Sequence, residues 1–238
     1  MTVLHVSEEA GVATLLLNRP DRANALDADL VEALHGALDD LERSAPGFIL
    51  LRAEGRNFCA GFDFSGFEEA RVAELSWRFV RIEQLLQRIA HSPSPVAALV
   101  QGPAYGAGAD LVVACPDSSA TESVRLRMPG WRFGLALGTR RLIARIGAAA
   151  AHEFLAQART IDAAEARTLG LVRRIHAPGE EHAQAVVMRD AALSLSPGAA
   201  RRLAAIAVRD TRAEDMASLV ESLTDGDLKE RIRRFRAA

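Results

Sequence analysis

The chain is expected to fold as an α/β protein with a helical C-terminal part, and three observations carry that expectation. Between residues 11 and 102, apolar runs of strand length (GVATLLLN, GFILLRAEG and PVAALVQG) alternate with long amphipathic segments. Beyond residue 139 the helical period persists alone. Pro and Gly mark the joins, as in the turn RPDRAN and at the glycine that ends GFILLRAEG.

Taken in order, GVATLLLN (11–18) is a strand stopped by Pro20 and Asn24. In LDADLVEALHGALDDLER, Leu26, Leu30, Leu34, Leu38 and Leu41 recur at helical spacing, with Asp27 or Asp29 as the anion favoured at its start. GFILLRAEG (47–55) is a second strand, followed by the irregular NFCAGFDF. Residues 68–91 form a helix whose inward stripe is Leu75, Phe79, Ile82, Leu85, Leu86 and Ile89. PVAALVQG (95–102) is uniformly apolar and therefore a strand buried on both faces. GADLVVAC then starts a helix. Among the later segments, TRRLIARIGAAAAHEFLAQAR is helical, and Asp162 and Glu165 in TIDAAEARTLGLV have the spacing of a capping box stopped by Gly170. EEHAQAVVMRDAALSLS, PGAARRLAAIAVRD (Pro197 at a first turn) and AEDMASLVESL complete the helical part. No linker, repeat or low-complexity tract interrupts the sequence.

A length of 238 residues favours a single core, and 49% apolar with 25% charged residues is ordinary globular composition. A net charge of −2 gives no general attraction to nucleic acid or anionic lipid; the basic RIRRFR at 231–236 reads as a solvated helix end. Two cysteines, Cys59 and Cys115, supply neither a disulfide framework nor a zinc site, so a reducing, cytoplasmic location is expected. No signal peptide or membrane-spanning run is apparent.

The segment QGPAYGAGAD (101–110) holds the chemistry. Small residues allow close approach to a backbone, and the first amides of a helix lack internal partners and carry partial positive charge. An Ala107 N–H facing an oxygen would have Asp110 three residues later on the same helix face, so one turn offers a donor and an acid/base group. Ala60 and Gly61 in NFCAGFDF offer a second set of amides, and two amides converging from separate loops make an oxyanion hole suited to a thioester enolate. Asp63 reads first as a loop-fixing residue, Cys59 as apolar filler, Tyr105 as a packing residue, and His91 and His152 as ordinary helical histidines. There is no G-x-G-x-x-G fingerprint and no G-x-S-x-G elbow.

LNRPDRANALDADLVEALHGAL, FCAGFDFSGF, VQGPAYGAGADLVVAC and TIDAAEARTLGLV resemble, in order, the signatures of the crotonase (enoyl-CoA hydratase/isomerase) superfamily from about residue 3 to about residue 205. The resemblance implies a spiral of ββα units over residues 1–190 and a helical oligomerisation region over 191–238 that makes homotrimers or homohexamers. It implies an acyl-CoA substrate, coenzyme A entering only as part of the thioester, and no permanent cofactor or metal. The oxyanion hole maps onto the Ala60 and Ala107 amides, the first catalytic acid onto Asp110, and CoA contacts onto Arg22, Ala23, Ala25, Ala60, Phe62 and Asp63. The second glutamate of the family's hydratases maps onto Gly130, which can neither give nor take a proton. Ordinary hydration, which needs one group to orient water and another to exchange its proton, is therefore not expected. Two readings follow: an enzyme working with one carboxyl group, or an inactive acyl-CoA-binding assembly subunit.

Overall fold

A computed structural model describes residues 2–237. The chain opens with a hairpin, β1 (Leu4–Glu9) against β2 (Val12–Leu17), joined through Ala10 and Gly11, both at positive φ as a tight turn between twisted strands requires. β1 escapes sequence detection because only Leu4 is buried, so no alternation marks it. β2 alternates half-buried and buried residues and is followed by α1 (Ala28–Ser44), whose first turn is capped by the Asp27 carboxylate accepting from Leu30 N–H.

β3 (Phe48–Ala53), α2 (Val72–Ala90) and β4 (Val96–Val100) follow as expected. All six residues of the α2 stripe are buried, as is every residue of β4. β5 (Pro103–Tyr105), α3 (Ala107–Ala114), β6 (Asp117–Thr121) and β7 (Arg125–Arg127) come next. The main sheet runs β1-β2-β3-β4-β6 and ends on β8 (Arg174–His176); only the β1/β2 pair is antiparallel. β5 and β7 form a separate parallel pair.

β8 corrects the expectation of helix alone after residue 139. Three residues are too few to show a period, and its pairing with β6 is a long-range event. The stretch 139–159 is helical as expected and divides at Gly147 (φ +81) into α4 (Thr139–Ile146) and α5 (Ala148–Gln157). α6 (Ala163–Thr168) is capped by Asp162, whose carboxylate accepts from Glu165 N–H, while the Glu165 side chain pairs with Arg159 instead of closing the box.

α7 (Glu181–Leu193), α8 (Pro197–Ala207), α9 (Arg212–Thr224) and α10 (Leu228–Ala237) finish the chain. Leu219, Leu223, Leu228 and Ile232 join the same apolar core as the sheet and α2. RIRRFR is thus more than a solvated end: Ile232 is fully buried, and Arg231 donates to the Phe133, Gly134 and Ser222 carbonyls. No helix among the described residues is long and apolar enough to cross a membrane.

Candidate active site

In open α/β sheets ligands bind beyond the carboxyl ends of the strands. Here the segment after β3 meets the segment after β4. Cys59 N–H donates to Pro103 O (3.3 Å) and Tyr105 N–H donates to Cys59 O (2.9 Å). Two glycines permit this approach: a Cβ at Gly108 would lie 2.2 Å from Cys59 O, and one at Gly61 2.4 Å from Tyr105 O. Part of the small-residue character of GAGAD therefore serves contact between two stretches of the chain itself.

That seam fixes which amides remain open. Leu26 N–H donates to Gly61 O (2.7 Å) and Asp63 N–H donates to Leu26 O (3.1 Å). In such a parallel bridge the partner bonds the residues flanking Phe62, so Phe62's own N–H points to the other side. It meets no acceptor among the described residues, and neither does Ala107 N–H at the first position of α3. Ala60 is different. Its N–H donates to Ala23 O at 2.9 Å, which corrects the expectation that Ala60 supplies an open donor. The direction of each amide follows from long-range pairing with Ala23 and Leu26, which residue spacing does not reveal.

Phe62, Ala107 and Asp110 line one cavity of about 210 Å³, together with Ala60, Arg127, Gly130 and a wall of apolar side chains. Asp110 is 4% exposed, and its Oδ1 has no hydrogen-bond partner. Burial pushes its pKa well above the ordinary carboxylate value; Arg141 pulls it back and Glu83 adds to the rise. Room for the carboxyl group comes from Gly138 (φ +65), where a Cβ would fall 1.7 Å from Oδ1.

Behind Asp110 lies a buried ion cluster. Arg141 of α4 is bidentate to Glu83 of α2 (2.8 and 2.5 Å) and reaches Asp215 of α9 at 3.3 Å. Thr211 Oγ1 donates to Asp215 (2.7 Å). None of these was singled out in the sequence. The available signal was an acid, Glu83, set inside the buried stripe of α2 between Ile82 and Leu85.

The remaining expected residues are placed as follows. Arg22, Ala23, Ala25 and Asp63 do not line this cavity. Arg22 is exposed on the 3-10 turn Pro20–Arg22, and Ala23 closes that turn at φ +50. Ala25 is buried, with its carbonyl accepting from Arg19. Asp63 accepts from Arg19 (3.2 Å) and Ser65 N–H (2.9 Å), the loop-fixing arrangement; burial raises its pKa, but these bonds outweigh it and hold the group below its ordinary value. Cys59 is fully buried, which pushes its thiol up to about 12. Trp131 and Tyr105 line the cavity; Trp131 is 46% exposed, with Nε1 donating to Thr139 Oγ1. Gly130 also faces the cavity, so among the described residues Asp110 is the only carboxyl group lining it.

Comparison with known proteins agrees with this architecture. Residues 7–223 match the family described as enoyl-CoA hydratase/isomerase. A Thermus thermophilus protein provisionally named an enoyl-CoA hydratase is 34% identical over 244 residues, covering 96% of this chain and 95% of that protein. A Bordetella parapertussis structure provisionally described as an enoyl-CoA hydratase/isomerase superposes with a TM-score of 0.97 at 39% identity, covering all of both chains. An enoyl-CoA hydratase/isomerase structure from Xanthobacter autotrophicus Py2 is 26% identical with a TM-score of 0.83, covering 95% of this chain and 86% of that one. The parallel-dominated sheet with helices packed around it is the crotonase fold that the sequence resemblance implied, and the chain belongs to the enoyl-CoA hydratase/isomerase family of the crotonase superfamily.

Proposed function

We propose that this enzyme forms and reprotonates a thioester enolate of an acyl-CoA with one carboxyl group, and that its reaction is migration of a double bond rather than addition of water. The thioester oxygen accepts from Phe62 and Ala107 N–H, which stabilise the negative charge as it develops; loss of one such donor costs about 3–4 kcal/mol in the transition state. Asp110 removes a proton from one carbon and returns it to another. Burial, the main cause of its raised pKa, makes it hold a proton more tightly than an ordinary carboxyl group, in keeping with a group that returns the proton it removes. The supporting observation is the pair of open amides beside a buried, unpartnered Asp110 in a cavity whose second acid position is Gly130.

Arg22, exposed on the turn before α1, is the cation this reading assigns to the CoA phosphates. Leu203 and Ile206 on α8 are 56% and 84% exposed, and a homotrimer or homohexamer would cover them. The test of the reaction is product analysis of 2-enoyl- and 3-enoyl-CoA incubated in D₂O and, separately, in H₂¹⁸O. Deuterium entering the acyl chain as the double bond moves, without ¹⁸O, is the expected result. A 3-hydroxyacyl-CoA carrying ¹⁸O as the main product would refute it. No reaction with any ester despite normal binding, unchanged in Asp110→Asn, would favour the assembly subunit.

A further inference from the structure

We infer that the acyl group handled here is compact, and that Phe235 of the C-terminal helix sets its size limit. This inference rests on the acyl-CoA reading above and adds to it the substrate class.

The far wall of the cavity is aromatic. Phe62 stacks on Phe79 at 4.1 Å, and Phe64, Phe133 and Phe235 meet at centroid distances of 6.2, 6.4 and 5.0 Å. Of these rings only Phe235 comes from the last helix, so the end of the chain closes a space that the preceding elements leave open. α10 is fixed there on two sides. Arg231 donates to the Phe133 (3.1 Å) and Gly134 (3.2 Å) carbonyls, at a glycine where a Cβ would lie 2.8 Å from the guanidinium. Lys229 donates to Glu68 O and Ala70 O, and Arg233 pairs with Glu68 at 2.8 Å. Phe235 is thus a held wall rather than a loose end.

The volume sets the scale. An apolar cavity of about 150 Å³ takes up benzene, roughly 25 Å³ per carbon, so about 210 Å³ accepts an acyl group of about eight carbons.

The probe is a ladder of saturated straight-chain acyl-CoA esters from two to sixteen carbons, which bind without turning over, titrated calorimetrically into the full-length protein. Affinity is expected to rise about fourfold per methylene while chains still fit. It should then fall at least tenfold between about eight and twelve carbons. Phe235→Ala, which leaves the three basic anchors of α10 in place, should move that break upward by about four to six carbons. Phe235→Trp should move it downward, which keeps the test decisive if the smaller residue loosens the helix. A break at the same length in the parent and both variants overturns this inference while leaving the function reading intact. Failure of every ester to bind overturns both.

Discussion

Replacing Gly138 by alanine should disable the enzyme while leaving it folded. The new Cβ would sit 1.7 Å from Asp110 Oδ1, where ordinary van der Waals contact needs at least about twice that, so the carboxyl group must shift by more than 1 Å. A misplacement of about 1 Å in a reacting group costs on the order of 100-fold in rate, so kcat should fall by at least that factor. Gly138 also sits at φ +65, and alanine held there costs on the order of 1 kcal/mol or more. In a chain of this size each 1 kcal/mol corresponds to a fall in Tm of roughly 2–4 °C. The assay is turnover of a 3-enoyl-CoA beside a thermal melt, with Asp110→Asn as the reference for a lost carboxyl group. A Gly138→Ala enzyme within about threefold of the parent in kcat would refute the placement of Asp110 at the reacting carbon.

Other outcomes follow from the same geometry. The folded state raises the Asp110 pKa, so the folded protein binds its proton more tightly than the unfolded chain, and Asp110 destabilises increasingly as pH rises above the unfolded value. Asp110→Asn should therefore be more stable than the parent at pH 8, with the advantage vanishing toward about pH 4; denaturant titrations across pH showing equal or lower stability at pH 8 would contradict this. Glu83 adds to the raised Asp110 pKa, so Glu83→Gln should move the limb of the pH–rate profile that reports Asp110 to lower pH; a shift upward would show that the cluster acts otherwise. Asn24 is fully buried at φ +53, accepts from Arg19 N–H and donates to the Glu54 and Asn57 carbonyls, so Asn24→Ala should cost about 2–4 kcal/mol in urea unfolding.

What the sequence disclosed follows the range of the interactions involved. The α2 stripe and the uniformly apolar β4 were legible because their burial repeats over many residues. β8 was not, because three residues on a sheet edge acquire their state from β6 across more than fifty positions. Asp110 and Ala107 could be read because a helix start fixes both within four residues. The second hole donor could not: whether Ala60 or Phe62 keeps an open N–H depends on the carbonyls of Ala23 and Leu26, more than thirty residues upstream. Glu83, Arg141 and Asp215 come from three helices, and only folding brings them behind Asp110. The C-terminal basic run misled for a related reason, since its arginines mask Ile232 and Phe235, the two residues that turn inward.

The account turns on two backbone nitrogens meeting one oxygen. A crystal structure of the protein with a saturated acyl-CoA ester bound measures this directly. The thioester oxygen is expected at about 2.7–3.1 Å from both Phe62 N and Ala107 N, with Asp110 facing the acyl carbons. An ester seated with its carbonyl outside reach of either nitrogen, or bonded to Ala60 N after that amide has left Ala23, would contradict the account.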